Sequence, residues 1–279
     1  MREIPYAPAA EIRAVPGGLG GFEAGEGPTL VMLHGFAPGI DSRTEFAAQV
    51  DAFAARHRVL LLDLPGFGAS ADLPVTDCYT REAVERLQVT LEALGVAHAD
   101  VLGLSLGGWV ALQAALDVPA LVDRLVLAAP GTLVAGDDGL RTSEGVRKLS
   151  AFLARPSSLK MLEWLETQFA DPASITDKMV EDELARAMQV GAIARLRAVR
   201  RSFEGAESDP PLWSHSRQVH QRSLLLWGRE NVDFPLDSVL HGARRIPRGD
   251  LHVMAGCAQR AHQEQPDEFN QLVAQFLAR

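Results

Sequence analysis

Short apolar runs alternate with helical patterns along the first half of the chain, and this alternation limits the possible folds more than any other feature. The runs are rich in Val and Leu, and Gly, Pro or Asp residues stop them. Strands that alternate with helices are typical of an α/β protein, in which helices flank a mostly parallel sheet. The predicted strands are 29–33, 58–62, 99–104, 121–128, 223–227 and 250–254, and the predicted core helices are 81–94, 107–116 and 268–278.

The strand pattern stops between residues 134 and 207 and resumes afterwards. This segment shows four helical patterns, which are separated by Pro156, by Asp171-Pro172 and by Gly191. A helical insertion in one α/β unit explains this order. We therefore predict a core formed by residues 1–133 and 208–279, with a helical cap, or lid, at residues 134–207.

Composition and charge exclude several classes of protein. Hydrophobic residues make up 47% of the 279-residue chain, and the net charge is −9, so we expect a folded protein that binds neither nucleic acid nor an anionic membrane. No apolar run reaches the ~18 residues of a membrane span. Two cysteines cannot form a disulfide framework, and the first residues lack the apolar stretch of a signal peptide. These features predict a cytoplasmic location.

The pentapeptide Gly103-Leu104-Ser105-Leu106-Gly107 follows a predicted strand and opens a predicted helix. In that context the G-x-S-x-G pattern is typical of a nucleophile elbow, a strained turn that lifts a serine hydroxyl above the sheet. The N–H of Leu106 lies at the helix start, where it can face a developing oxyanion. The alternative is a glycine-rich helix start with Ser105 as its N-cap residue.

A second loop, His34-Gly35-Phe36, follows the first strong strand. Loops of this kind supply another oxyanion N–H, and we predict that Phe36 supplies it here. His34 lies at the strand end, so we expect it to be structural rather than catalytic.

Together these motifs resemble those of the α/β-hydrolases, in particular the meta-cleavage product hydrolases, which cut carbon–carbon bonds in aromatic-ring degradation. The matching segments keep the family's order and cover nearly the whole chain. The resemblance implies the α/β-hydrolase fold, with the family's lid at the predicted cap. The segments are 33–35, 38–39, 63–68, 103–107, 129–131, 226–229, 235–237, 251–253 and 267–270.

The resemblance also implies a Ser-His-Asp triad, and two of its three positions carry amides in this chain. In the family pattern the acid stands three residues after Gly228, which is Asn231, and the base stands five residues before Glu264, which is Gln259. An amide neither carries the charge that stabilises an imidazolium nor accepts a proton near neutral pH. The candidate catalytic set is therefore Ser105, Asn231 and Gln259, with ordinary hydrolysis expected to be lost.

Other side chains near these positions could substitute or contact a substrate. His262 lies one helical turn beyond Gln259 and could act as the base with Asp233, although a polar residue on the first turn of the last helix is the simpler interpretation. Arg260 stands where the family usually has tryptophan; it could anchor an anionic group or be a solvated surface residue. The lid arginine that grips the substrate carboxylate in the family falls near Glu183, which has the opposite charge.

No metal-ligand spacing and no nucleotide-binding glycine pattern occurs, so we expect no metal and no cofactor. The expected partner is a small carbonyl compound. A homodimer is implied only by the resemblance.

Three functions remain open. The first, which we favour, is an enzyme that binds a small carbonyl compound in an oxyanion pocket under a lid and catalyses non-hydrolytic or impaired chemistry. The second is an active ester or carbon–carbon bond hydrolase that uses Ser105 with His262 and Asp233. The third is a ligand-binding module without catalysis.

Overall fold

Six parallel strands form most of one eight-stranded sheet, as the alternating pattern predicts. The computed structural model describes residues 10–12, 15–133, 143–204 and 212–279. The order across the sheet is β1-β2-β4-β3-β5-β6-β7-β8, and β3 to β8 pair in parallel. The strands are β1 (Ala10–Ile12), β2 (Gly21–Ala24), β3 (Thr29–Leu33), β4 (Arg58–Leu62), β5 (Ala99–Leu104), β6 (Val122–Ala128), β7 (Arg222–Gly228) and β8 (Gly249–Met254).

The first two strands were not predicted from the sequence. β1 and β2 have three and four residues, and they pair in antiparallel fashion at one edge of the sheet. The segment of β2 reads Gly-Phe-Glu-Ala, which lacks the run of β-branched residues that indicates a buried strand. Their place in the sheet depends on pairing with β4, a contact between distant segments of the chain.

Helices cover both faces of the sheet. Alternate residues of β3 show the division: Val31 and Leu33 belong to one buried apolar cluster, while Leu30 and Met32 belong to the other. Side chains on a strand point alternately to opposite faces, so each face has its own core. The helices are α1 (Ser42–Glu45), α2 (Val50–Ala54), α3 (Tyr79–Ala93), α4 (Leu106–Asp117), α5 (Glu144–Ala154), α6 (Ser158–Leu165), α7 (Asp177–Ala187), α8 (Ala192–Glu204), α9 (Leu212–His215), α10 (Leu236–Ala243), α11 (Ala261–Glu264) and α12 (Pro266–Leu277).

Helices α5 to α8 form the described part of the predicted cap, and they stand between β6 and β7 in the chain. Each of the four predicted cap helices is present, with ends that differ by up to four residues. The predicted cap limits, 134 and 207, lie outside the described residues. The predicted fold class is confirmed.

The elbow is built on close backbone contacts at two glycines. A Cβ atom at Gly103 would lie 2.3 Å from the carbonyl oxygen of Gly107, and one at Gly107 would lie 2.1 Å from the carbonyl oxygen of Leu33. Both distances are too short for any side chain. The helix after Ser105 can therefore approach β5 and the end of β3 only with glycine at these positions.

We predict that Gly103→Ala lowers the free energy of unfolding by about 3 kcal/mol, because backbone atoms must move to admit the methyl group. Gly95→Ala is the matched control: Gly95 has a φ of +69° but no atom within 4 Å of the added Cβ. There we expect a loss of about 1 kcal/mol from backbone strain alone. Urea unfolding measures the free energy of unfolding of both variants. Equal losses of stability in Gly103→Ala and Gly95→Ala would show that the elbow has room for the added methyl group.

Candidate active site

Ser105 occupies a strained turn between β5 and α4. Its φ of 45° and ψ of −108° lie in a region that non-glycine residues rarely adopt, and its N–H donates a hydrogen bond to Ala128 O at 2.9 Å. Its hydroxyl has no hydrogen-bond partner among the described residues. Strain of this kind persists only where the surroundings enforce it, and it is typical of functional sites. The geometry is that of the predicted nucleophile elbow.

The two predicted oxyanion donors lie on neighbouring segments. Leu106 is the first residue of α4, where its N–H has no acceptor within the helix. The loop that carries Phe36 is joined to this helix by a hydrogen bond from Gly107 N to His34 O at 3.0 Å. In the described part of the chain, no acceptor contacts the N–H of Phe36 or of Leu106. Both donors are therefore available to a ligand.

His34 has a structural role, as predicted. It is fully buried, its Nε2 accepts the N–H of Leu64 at 3.0 Å, and its Nδ1 lies 2.8 Å from Gly35 O. These contacts fix the ends of β3 and β4 relative to each other.

Asn231 and Gln259 meet directly. The side-chain N–H of Asn231 donates to Gln259 Oε1 at 2.6 Å, and Gln259 Nε2 lies 3.4 Å from Ala129 O, one residue beyond the acceptor of the Ser105 N–H. Asn231 Oδ1 accepts the N–H groups of Asp233 and Phe234, each at 3.0 Å. The pair therefore joins the loops after β7 and β8 beside the elbow. Neither side chain can exchange a proton near neutral pH.

Asp233 does not contact His262, so the predicted relay between these two residues is not assembled. Its carboxylate accepts the N–H of Gly145 at 2.7 Å and the side-chain N–H of Gln168 at 3.0 Å, both from the cap. Burial raises the pKa of Asp233, and the hydrogen bonds from Gln168, Gly145 and Ser143 lower it less. Asp233 therefore fastens the cap to the loop after β7.

His262 pairs instead with Glu45, a residue that the sequence analysis did not single out. His262 Nε2 lies 2.9 Å from Glu45 Oε1, and both side chains are buried. The His262 ring packs against Phe46 and Phe269, and its Nδ1 is buried with no partner among the described residues. His262 is thus held in a buried contact with a carboxylate rather than on the surface of a helix turn.

Glu45 joins His262 to the loop of the oxyanion donors. Glu45 Oε2 accepts the N–H of Gly35 at 3.4 Å, and its Oε1 also accepts the side-chain N–H of Gln263 at 3.2 Å. A Cβ atom at Gly35 would lie 3.4 Å from Glu45 Oε2 and 3.5 Å from Ser105 Cβ. Glu45 Oε2 and Ser105 Cβ therefore both lie next to Gly35.

Opposing effects set the pKa of Glu45. Burial alone would raise this pKa, but the hydrogen bond and charge of His262, with contributions from Arg260 and His34, lower it to about 2. Glu45 is therefore ionised at every physiological pH.

One pattern in the sequence could have drawn attention to Glu45, but it indicates another role. Ser42 and Glu45 have the spacing of a capping box at the start of a helix. In the structure Asp41 caps this helix by accepting the N–H of Thr44, so the Glu45 carboxylate is free to turn inward.

Arg260 is neither a solvated surface residue nor an unpaired cation. It is 6% exposed, its Nη1 donates to Glu183 Oε1 at 2.7 Å, and its guanidinium lies over the rings of Trp164 and Phe169. Arg186 also contacts Glu183, at 3.3 Å. The expectation that Arg260 is solvated is therefore wrong, and the acidic residue near the family's lid-arginine position neutralises it.

Glu264 provides a further attachment of the cap. Its two oxygens accept the N–H of Ala170 in the cap, at 2.6 Å, and the N–H of Ala258, at 2.7 Å. Burial raises the pKa of Glu264 despite these hydrogen bonds. Asp233, Arg260 and Glu264 together tie the cap to the loops that surround Ser105.

The described residues contain no cluster of His, Cys, Asp or Glu suited to a metal ion. In the same residue ranges, no helix has the length and apolar character to cross a bilayer. Cys257 is buried, and burial raises the pKa of its thiol to about 12, so it is a poor nucleophile. Ser105 lines neither of two cavities in the described chain. A ligand pocket at Ser105 stays a prediction.

Comparison with known proteins identifies the family. Residues 30–272 match the alpha/beta hydrolase family, and the chain belongs to it. It is 31% identical over 252 residues to a 2-hydroxy-6-oxononadienedioate/2-hydroxy-6-oxononatrienedioate hydrolase of Burkholderia vietnamiensis, covering 90% of this chain and 87% of that protein. It is also 31% identical over 265 residues to a 2-hydroxy-6-oxo-6-phenylhexa-2,4-dienoate hydrolase of Comamonas testosteroni, covering 91% and 89%.

The solved structures agree on the fold. A 2-hydroxy-6-oxo-6-phenylhexa-2,4-dienoate hydrolase from Rhodococcus superposes with a TM-score of 0.84 at 21% identity, covering 97% of this chain and all of that one. The two relatives named above confirm the resemblance to the meta-cleavage product hydrolases.

We predict that Glu45→Gln lowers the free energy of unfolding by about 3 kcal/mol at pH 7, because it removes the charge of a buried carboxylate that is hydrogen-bonded to His262. Glu45 has a pKa of about 2 in the folded chain, below the ordinary 4.5, so its ionisation stabilises the fold above pH 4.5. The difference between variant and parent should therefore shrink as the pH falls from 4.5 towards 2.

The matched control for this variant is Glu23→Gln, which breaks the partly exposed pair with Arg58. We expect a loss below about 1 kcal/mol there. Urea unfolding at pH 7 and at pH 3 checks both variants. A Glu45 effect as small as the Glu23 effect, or one that does not change with pH, would contradict a stabilising role of the ionised Glu45 carboxylate.

Proposed function

We propose that this chain is an enzyme that uses Ser105 to cleave an ester or carbon–carbon bond next to the carbonyl group of a small molecule. The observation that carries the proposal is the buried His262–Glu45 pair beside a serine in elbow geometry. In this mechanism Glu45 is the base, and His262 holds its carboxylate in place. The two relatives named above are hydrolases of conjugated oxo acids, which supports a reactive ketone or ester as the substrate.

The reaction follows from the groups around Ser105. The N–H groups of Phe36 and Leu106 bind the carbonyl oxygen and stabilise its developing negative charge; one such donor is worth roughly 10²–10³ in rate. As Ser105 Oγ bonds to the carbonyl carbon, its proton passes through one bridging water to the Glu45 carboxylate. When the bond to the leaving oxygen or carbon breaks, the leaving group takes this proton. Water then attacks the acyl-serine, and its proton returns through Glu45 to Ser105.

The low pKa of Glu45 limits the rate. A general base works best when its pKa lies near the working pH, and a carboxylate with a pKa of about 2 is a weak base at pH 7. We therefore expect slow turnover that is restricted to activated carbonyl compounds. Arg260 already binds Glu183, so a substrate carboxylate at that place would have to compete with a buried ion pair. Neutral ketones and esters fit this site better than dicarboxylates.

A second candidate function is supported by the Asn231–Gln259 pair. Where amides replace the usual acid and base, the elbow and the oxyanion donors can still bind and polarise a carbonyl group. Hydrolases that lack triad members retain about 10³–10⁴-fold catalysis from such interactions. This factor corresponds to a lowering of the activation free energy by roughly 4–5 kcal/mol. Such a lowering is enough for cyclisation, tautomerisation or retro-aldol cleavage.

We predict that a fluorophosphonate probe forms a single, slow adduct on Ser105, detected by intact-mass spectrometry. Ser105→Ala should give no adduct. Glu45→Gln should react at least about tenfold more slowly, because general-base assistance is lost. His252→Ala is the matched control, since His252 lies partly exposed on β8 with only a distant contact to Glu268, and it should react at the rate of the parent.

If the parent is not labelled, the proposal that Ser105 is the nucleophile of a hydrolase is overturned. A non-hydrolytic enzyme or a binding module then stays open. Labelling that is equally fast in Glu45→Gln would keep a reactive serine but remove Glu45 from the mechanism. All variants are compared at a temperature where each is folded.

We predict that the double variant Asn231→Asp, Gln259→His raises kcat/KM toward p-nitrophenyl acetate by at least about 10²-fold over the parent, because it installs a charged acid and a titratable base in contact with each other. Asn231→Asp alone supplies no base and serves as the control without gain. A parent that already matches the double variant would show that this pair does not occupy the acid and base positions.

A further inference from the structure

A cavity lies at the opposite end of the strands from Ser105. Ser105 follows the carboxyl end of β5, whereas Asp100, near the amino end of the same strand, lines a cavity of about 500 Å³. Arginines from three neighbouring segments also line it, and Arg279 is a fourth. The three are Arg124, Arg222 and Arg248.

The sheet register places these arginines side by side. Arg124 of β6 is the direct partner of Arg222 of β7, and Arg248 precedes β8, where its carbonyl accepts the N–H of Ser223. Neighbouring strands lie roughly 4.8 Å apart, so three positive side chains lie close together at the amino ends of these strands. This concentration of positive charge occurs in a chain with a net charge of −9.

Protein groups compensate this charge incompletely. Arg124 contacts Asp100 Oδ2 at 3.4 Å and the carbonyl oxygen of Leu277, while Arg222 lies over the ring of Phe276. In the described residues, the guanidinium groups of Arg248 and Arg279 contact no acceptor. The second acidic residue of the cavity, Asp123, pairs with His98.

One buried polar atom beside the cavity also lacks a partner. Asp100 is 5% exposed, and its Oδ1 has no hydrogen bond among the described residues. Burial raises the pKa of Asp100 to about 6, against the lowering effect of Arg124. A buried polar atom without a partner is costly, so Asp100 Oδ1 indicates a ligand that would satisfy it.

We propose that this cavity binds a small polyvalent anion, with phosphate or clustered carboxylate groups, that also carries a hydroxyl or N–H group. The arginines bind the anionic groups through paired N–H donors, the geometry in which guanidinium recognises phosphate and carboxylate. The hydroxyl or N–H group donates to Asp100 Oδ1. This site does not involve Ser105, so it is independent of the function proposed above.

Titration calorimetry of the full chain tests the anion site, with pyrophosphate as the phosphate probe and citrate as the carboxylate probe at constant ionic strength. We expect saturable binding that weakens at least about tenfold in the double variant Arg222→Gln, Arg248→Gln, because two charge-assisted contacts are lost. The double variant Arg147→Gln, Arg217→Gln makes the same change in net charge at two exposed positions, and it should bind as the parent does.

The stronger of the two probes identifies the anionic group as phosphate or carboxylate. Absence of saturable binding by both probes would overturn the proposal, and so would equal weakening in the two double variants. Ser105→Ala should bind the probes as the parent does.

A matched pair of ligands tests the role of Asp100. Methylenediphosphonate and hydroxymethylenediphosphonate have the same phosphonate groups and differ by one hydroxyl. We expect the hydroxyl compound to bind the parent about fivefold more tightly, and to lose this advantage in Asp100→Ala, because the acceptor is removed. Thermal unfolding confirms that the variant is folded. An equal affinity of the parent for both compounds would remove Asp100 from the site.

Discussion

The first turn of the helix after Ser105 packs directly onto the end of strand β3, and the site depends on this contact. Gly107 donates to the carbonyl of His34, and no side chain fits between Gly107 and Leu33. The contact sets the distance between the helix N-terminus and the loop of Phe36. Both predicted oxyanion donors lie on these two segments, so their relative position is fixed before any ligand arrives, which is the condition for electrostatic stabilisation of a transition state.

The sequence predicts the parts of the structure that local patterns determine. Strands β3 to β8, the four cap helices, the elbow and the oxyanion loop each depend on residues that are close in the chain, such as Gly103 and Gly107 around Ser105. Counting from Gly228 and Glu264 also selects Asn231 and Gln259, and these two side chains contact each other in the structure. Contacts between distant segments are different. β1 and β2 are defined by pairing with β4, and their own residues indicate no strand.

The contact between His262 and Glu45 also joins two segments that are distant in the chain. Glu45 and His262 are separated by 217 positions, and only the packing of α1 against α11 brings them into contact. Sequence proximity favours Asp233 as the partner, because it follows the predicted acid position by two residues. The structure shows why this is wrong: the Asp233 carboxylate is already bound to Gly145 and Gln168 of the cap. Arg260 is paired with a cap residue for the same reason, since the cap approaches the core more closely than a linear pattern reveals.

The Asn231–Gln259 hydrogen bond has a consequence for how relatives are compared. An aspartate and a histidine can also join two loops by one hydrogen bond, so amides at Asn231 and Gln259 are compatible with the same backbone path. Scaffold and reactivity are thus separable in this fold. Superposition on a hydrolase shows that the backbone paths of the loops are similar. It does not show whether the side chains on these loops can exchange protons. Enzyme families built on such a scaffold can diversify in chemistry while their shapes stay nearly superimposable.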